Sequence, residues 1–288
     1  MTGRQRTPTS QKPGNLMLEL RSRARDENGG EFQEIHRTVR WNPRQTAIII
    51  CDMWNDHACK SAAERVAEMA PTMNRTVSAA RDTGVFIIHA PGGAVSVYED
   101  TPQRRRAIEA PFVESPVEIK SNHWNPEREG EPLPQRFGVG GCGCRKPCSG
   151  WIDDDQELRR WKGGKNPRTW QIETLEIASG DAISDSGQEI YNLMQNRSID
   201  NAILMGVHTN ICVLGRPFGL RQMVYFEKNV VLCRDLTDSI FQPPSLDFSH
   251  FRGTDVIVEH IEKHWCPTIT STAFTNEPAF RFSEATPA

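Results

Sequence analysis

The sequence has no long apolar run. Its longest stretches, such as Ala47 to Cys51 and Val230 to Cys233, stop far short of the roughly 20 residues a membrane-spanning helix needs. It has little excess charge: 34 basic against 37 acidic residues leave a net charge of −3. That excludes the electrostatic footprint of nucleic-acid binding, whose affinity comes mainly from Lys and Arg on phosphates. The first residues, MTGRQRTPTSQKPGN, have no apolar core of the kind a secretory signal requires. No internal repeat is visible. The expectation is a cytoplasmic protein with neither nucleic-acid nor membrane partners.

The 288 residues are 37% hydrophobic and 25% charged. A chain of this length hides roughly three quarters of its unfolded surface, so a sizeable core is available. The 19 Pro and 21 Gly predict irregular stretches beside a compact part. Residues 1–40 are polar, with a single apolar patch at Leu16 to Leu20, and read as a weakly ordered arm. Thr46 to Cys51 is a continuous apolar run with β-branched residues, as in a strand buried on both faces. Val85 to His89, Ala202 to Met205, Val230 to Cys233 and Val256 to Val258 read alike, and Thr174 to Ile177 is a weaker sixth.

Helical patterns lie between these runs. Ala62, Val66, Met69, Ala70, Met73 and Val77 recur at three- and four-residue spacing, as an amphipathic helix requires. Glu189 to Gln195 and Ile211 to Val224 are two more, the latter interrupted by Pro217, which kinks or stops a helix. A helix over Val258 to His264 precedes Trp265. Strands alternating with helices predict an α/β fold with a parallel sheet covered on both faces. Residues 110–170 break the pattern and read as an insertion. Residues 272–288 read as a tail.

In open α/β sheets, sites form at the carboxyl ends of strands. The first strand is followed by Asp52-Met-Trp-Asn-Asp56-His57, and a carboxylate there is costly unless paired or working. The Ala202 strand is followed by Gly206-Val-His-Thr-Asn-Ile-Cys212-Val, which places Cys212 in the first turn of a helix. A thiol at a helix N-terminus has a lowered pKa, the same N–H groups cradle an oxyanion, and a nearby carboxylate can take the thiol proton.

These two elements carry a resemblance. Asp52-Met-Trp-Asn-Asp56 resembles the DxQND element of the isochorismatase-like cysteine hydrolases. Gly206-Val-His-Thr-Asn-Ile-Cys212-Val resembles that family's GxxTxxCV nucleophile turn. The likeness covers about residues 43–270 apart from the insertion, so 41–271 is read as an isochorismatase-like hydrolase domain. It implies a Rossmann-like, six-stranded, mainly parallel sheet with helices on both faces. It implies Cys212 as nucleophile and Asp52 as its proton shuttle. A cis peptide at Val207–His208 would let the N–H groups of His208 and Cys212 form the oxyanion hole. The implied activity is C–N bond hydrolysis of a small amide or carbamoyl compound through a thioester, with no cofactor required and a homo-oligomeric assembly.

The family Lys is not where the pattern expects it: Leu175 to Ser186 contains none. Lys120, Lys162 or Lys165 from the insertion, or an arginine, would have to take its place. Otherwise the chain is a catalytically silent relative that binds a small ligand or serves as an assembly subunit. Vinyl-ether cleavage without a cysteine nucleophile is a third reading, against which Cys212 argues.

Trp54, Asn55, His89 and Thr209 are the candidate substrate-pocket residues, with Asn55 and Asp56 equally able to fix their own loop. His89-Ala-Pro lacks the Asp-x-His element through which some family amidases bind a metal, so no active-site metal is expected. Cys142, Cys144 and Cys148 form a cluster with two readings: a structural zinc clip on the insertion with a fourth ligand such as His123, or free or locally paired thiols.

Overall fold

The structure is a computed structural model that describes residues 14–26, 29–57, 59–130, 168–240 and 250–283. Among them, eight strands form one sheet: β1 (Leu16–Ala24), β2 (Gln33–Trp41), β3 (Thr46–Cys51), β4 (Phe86–Ala90), β5 (Ala182–Ile183), β6 (Asn201–Val207), β7 (Asn229–Asp238) and β8 (Thr268–Ile269). Their order is β2-β1-β8-β7-β6-β3-β4-β5. From β8 to β5 every neighbouring pair is parallel, so the expected parallel sheet is present. An antiparallel hairpin, β1–β2, extends it past β8.

The helices are α1 (Lys60–Thr83), α2 (Pro102–Ile108), α3 (Pro126–Glu129), α4 (Gly187–Asn196), α5 (Leu220–Tyr225) and α6 (His250–His264). α1 stops at Gly84, whose φ of 103° closes the helix with bonds from its N–H to Ala80 and Arg81 carbonyls. The Ser186 side chain caps α4 by accepting from Glu189 N–H. Every residue of β3, β4 and β6 is buried, because helices cover both faces. Alternate residues enter two cores. Ile49, Ile88 and Leu204 join Ile190, Met223 and Ile257 on one face. Ile48, Ile50, Ile87 and Ile203 meet Val66, Met69 and Met73 of α1 on the other.

Four regions differ from the sequence reading. The arm carries a hairpin: Leu16, Leu18 and Leu20 are buried while Met17 and Glu19 are exposed. This is the period-two pattern of a half-buried strand. Two of its charges are anchored rather than solvated, since Arg21 and Arg23 reach the buried Glu262 of α6 at 2.8 and 3.0 Å. Val256 to Val258 is not a strand but part of α6, where Thr254, Ile257, Val258 and Ile261 form a helical stripe that overrides the β-branched triplet. Thr174 to Ile177 is irregular, and the sheet edge is β5 instead. The C-terminal segment also packs: Phe282 is buried and stacks on Phe251, centroids 5.2 Å apart.

A buried ion cluster fixes α3 to the body. The Glu129 carboxylate meets Arg221 at 2.5 Å and His260 at 2.9 Å. Burial opposes its charge, but the His260 and Arg221 hydrogen bonds win and hold it at about 2, below the ordinary 4.5. Asp238, beside Arg65 and His250, is likewise held at about 2 from 3.8. Both folded values are depressed, so this stability is fully present above the unfolded pKa values and is lost as pH falls toward about 2. Urea unfolding at pH 7, 4 and 3 is expected to show that loss. Glu129→Gln should cost about 3 kcal/mol at pH 7 and flatten the acid decline; an unchanged decline would exclude Glu129 as its source.

Candidate active site

The chain leaves β3 in one direction toward β4 and β5, and returns on the other side of β3 as β6, β7 and β8. That reversal opens a crevice between the carboxyl ends of β3 and β6, the usual site location in such sheets. Asp52 follows β3 and Cys212 follows β6.

Asp52 turns out of the strand with a φ of 51°, and its N–H donates to Ala90 O at 3.0 Å. Its carboxylate is fully buried. Gly92 N–H donates to Oδ1 at 2.6 Å. Arg216 donates to Oδ2 from Nη2 at 3.1 Å and from Nε at 3.4 Å. A Cβ on residue 92 would stand 2.7 Å from both Arg216 Nη2 and Asp52 Oδ1, so only glycine brings this N–H to the carboxylate.

The β6 side is as constrained. Gly206 has a φ of 105°, and a Cβ there would lie 2.0 Å from Cys51 O. The Val207–His208 peptide is cis. A wide π-type turn, Thr209–Val213, then carries Cys212. Thr209 Oγ1 bonds Thr237 Oγ1 at 2.7 Å, and Thr237 Oγ1 donates to Gly206 O. The Asn210 amide donates to Ile240 O and accepts from Ile240 N–H. The turn is therefore anchored to the end of β7.

The Cys212 thiol and the Asp52 carboxylate are electrostatically coupled. Burial, then the adjacent Asp52, push the thiol up to about 12, against the pull of Arg216 and a backbone hydrogen bond from His208. This corrects the expected lowering: a five-residue turn supplies less dipole than burial and a neighbouring carboxylate remove. Burial also raises Asp52, opposed chiefly by Arg216. Arg216 is held protonated, Asp52 and Cys212 outweighing its own burial. The resting site is a neutral thiol beside a carboxylate–guanidinium pair.

Trp54 is buried, its Nε1 donates to Gly92 O at 3.0 Å, and its ring stacks on His57 with centroids 5.6 Å apart. The His208 ring lies 5.0 Å from His57 and 6.4 Å from Trp54. Burial pushes His57 down to about 4 and His208 down to about 3, so both are neutral at physiological pH. The structure thus gathers Asp52, Cys212, Val207, His208 and Trp54. Asn55 instead ties down the loop at 169–170, accepting from Thr169 and Trp170 N–H. His89 is fully buried, with its ring nitrogens on Gln171 at 2.9 Å and Asp181 at 3.1 Å. Thr209 braces the turn.

Lys120 pairs with the exposed Glu118 at 2.8 Å and has no bond to Asp52 among the described residues. Lys162 and Lys165 lie outside the described residues, as do Cys142, Cys144 and Cys148. The candidate fourth ligand His123 has Nε2 on Gln222 Oε1 at 2.5 Å. Among the described residues, no three His, Cys, Asp or Glu side chains are placed to hold a metal ion. The cation beside Asp52 is Arg216, which the sequence reading did not single out. Its signal was its spacing, one helical turn after Cys212, and Arg216 N–H does donate to Cys212 O at 3.0 Å. Gly92 and Arg168 were also missed; the Arg168 guanidinium lies 4.6 Å from the Trp54 ring centroid.

No family model matches this sequence, and no curated protein matches it. Solved structures do. A cysteine hydrolase from Pseudomonas syringae pv. phaseolicola 1448A is 17% identical with a TM-score of 0.46, covering 81% of this chain and 93% of its own. An isochorismatase family protein from Desulfovibrio vulgaris subsp. vulgaris str. Hildenborough is 16% identical with a TM-score of 0.44, covering 80% and 96%. N-carbamoylsarcosine amidase from Thermoplasma acidophilum is 11% identical with a TM-score of 0.39, covering 78% and 96%. At such identities and scores these likenesses assign no residue role to this chain; the roles rest on the crevice itself.

Gly92→Ala is expected to push Arg216 and the Asp52 carboxylate apart. Any hydrolytic activity should drop at least about 100-fold, the scale of losing one preorganised polar partner. Full activity in that variant would show that the Gly92–Asp52–Arg216 arrangement is dispensable.

Proposed function

We propose that the chain is an isochorismatase-like cysteine hydrolase that cleaves the C–N bond of a small amide or carbamoyl compound through a thioester. The observation that carries this reading is the crevice at the carboxyl ends of β3 and β6, where the buried Asp52 carboxylate is held by Gly92 N–H and Arg216 and the adjoining β6 turn carries Cys212. The motif resemblance supports it independently.

In this mechanism Asp52 accepts the thiol proton as Cys212 Sγ attacks the carbonyl carbon. Coupling the two events avoids a free thiolate, which burial disfavours. The oxyanion is received by the N–H groups of His208 and Cys212. As the C–N bond breaks, Asp52 returns the proton to the departing nitrogen. Water then adds to the thioester carbon and gives a proton to Asp52; the C–S bond breaks, the acid leaves, and the proton goes back to sulfur. Arg216 keeps Asp52 ionised between steps but, being always protonated, takes no part in proton transfer. No cofactor enters these steps. We infer a small-molecule substrate and a homo-oligomeric, cytoplasmic enzyme; among the described residues no helix is long and apolar enough to cross a membrane.

The second reading, a silent relative, is favoured by the raised thiol and the absent lysine. Incubation with a panel of small primary amides, followed by mass spectrometry after acid quench, separates the two. The first reading expects an acyl adduct on Cys212 and no turnover in Cys212→Ala; turnover that survives Cys212→Ala removes it.

The pH profile tests Arg216. Activity needs ionised Asp52, so the acid limb of kcat/KM reports its pKa. Because the guanidinium lowers that pKa, Arg216→Gln should move the limb to higher pH, and Arg216→Lys should restore most of the shift. A limb that stays fixed in both variants would remove Arg216 from the site's electrostatics.

A further inference from the structure

The hairpin that extends the sheet has an outer strand without a neighbour. β1 pairs with β2 from Leu16 opposite Trp41 to Ala24 opposite Gln33, with no shift of register. Among the described residues β2 is the terminal strand of the sheet, so one row of its backbone N–H and C=O groups faces outward unpaired. Such an edge is a template for pairing with another strand, and proteins blunt it with short strands, bulges, proline or lysine. β2 has none of these. It is nine residues long, its sequence QEIHRTVRW lacks Pro and Lys, and its ladder is unbroken. Nor is the hairpin loose, because Arg21 and Arg23 tie it to Glu262.

The side chains of β2 fit a copy of themselves. Successive residues face opposite ways, so Ile35, Arg37 and Val39 share the face of the buried Leu18 and Leu20, while Glu34, Thr38 and Arg40 share the other. Ile35 is 44% exposed although it lies on the apolar face. Arg40 Nε donates to Met17 Sδ at 3.4 Å, and Arg40 has no carboxylate partner among the described residues. Glu34 Oε1 is held by Arg23 at 2.7 Å, which leaves Oε2 with only His36 Nε2 at 3.4 Å. In an antiparallel pair of two β2 strands centred on Arg37, Glu34 of each chain stands opposite Arg40 of the other, and Ile35 opposite Val39. The two-fold axis makes each contact twice. Opposite charges and apolar side chains set directly across strands are both stabilising. Moving the centre to His36 or Thr38 puts Glu34 opposite Thr38 or Asn42 and loses the ion pair. The two Arg37 residues meet at the axis, but each lines a groove of its own chain with Trp41, Trp265 and Pro267, which draws their charges apart.

We propose that β2 is the interface of a two-fold dimer: a second copy of this chain lays its own β2 antiparallel along this edge, centred on Arg37, and the two sheets become one. The occupant is a copy rather than a foreign strand because the same nine residues supply both halves of the charge and apolar pattern. The dimer pairs the outward backbone groups, gives Arg40 a carboxylate and covers Ile35. This names the surface behind the homo-oligomeric reading and rests on nothing in the catalytic one.

Sedimentation velocity on the full chain at micromolar concentrations tests it. A dimer, or an assembly built from dimers, is expected. Arg40→Glu is an exposed substitution that sets like charges across the edge twice, and it should weaken the dimer at least about tenfold. Arg37→Cys places the two substituted residues face to face on the axis, within disulfide reach. Mild oxidation should link them, and mass spectrometry should find the joined peptides. Thr38→Cys, which stands opposite His36 instead, should not link. A monomeric chain, no link through Arg37→Cys, or equal linking through Thr38→Cys overturns the proposal. An assembly that persists unchanged in Arg40→Glu would keep the homo-oligomeric reading and remove this interface.

Discussion

A carboxylate sealed from water at a strand end must be neutralised, protonated or expelled, and the rest of this site follows from how Asp52 is kept charged. Arg216 meets one oxygen and Gly92 N–H the other, and both oppose the upward push of burial on its pKa. The guanidinium can sit there because residue 92 has no Cβ and because Arg216 lies one helical turn beyond the thiol. Burial and this carboxylate in turn hold the thiol protonated. Carboxylate, guanidinium and thiol therefore form one electrostatic unit, in which altering any member changes the ionisation of the other two.

The architecture delivers these groups rather than containing them. β3 and β6 lie side by side at the centre of the parallel set although some 150 residues separate them in the sequence. Their carboxyl ends are the point where the chain reverses direction across the sheet. Gly206 permits the close contact with Cys51 O. The Thr209–Thr237–Gly206 hydrogen bonds brace the turn against β7. Asn55 and His89, which looked like pocket residues, are part of the same bracing through Thr169, Gln171 and Asp181. A polar residue just past a strand end has two uses, contact with a ligand and support of a loop, and its residue type does not distinguish them.

Much of the frame was legible in advance. Continuous apolar runs at Thr46 to Cys51 and Ala202 to Met205 identified the central strands, since only a strand covered on both faces needs apolar residues at every position. The two motifs that follow them identified Asp52, Cys212 and the cis peptide. The hairpin at Leu16 to Trp41 was not read, because its buried residues are few and its arginines look solvated until Glu262 is placed beneath them. The Val256 to Val258 triplet misled because β-branching reports propensity, while α6 is decided by which residues face the core.

By itself, the sequence determined the α/β alternation, the central strands and the carboxylate and thiol that follow two of them, because periodicity and strand-end residues are local properties. Only the tertiary structure decided which cation serves the carboxylate, that the thiol is raised rather than lowered, and that a second arginine stands over Trp54. Charge stabilisation depends on distance and desolvation, and both are set by segments far apart in the chain.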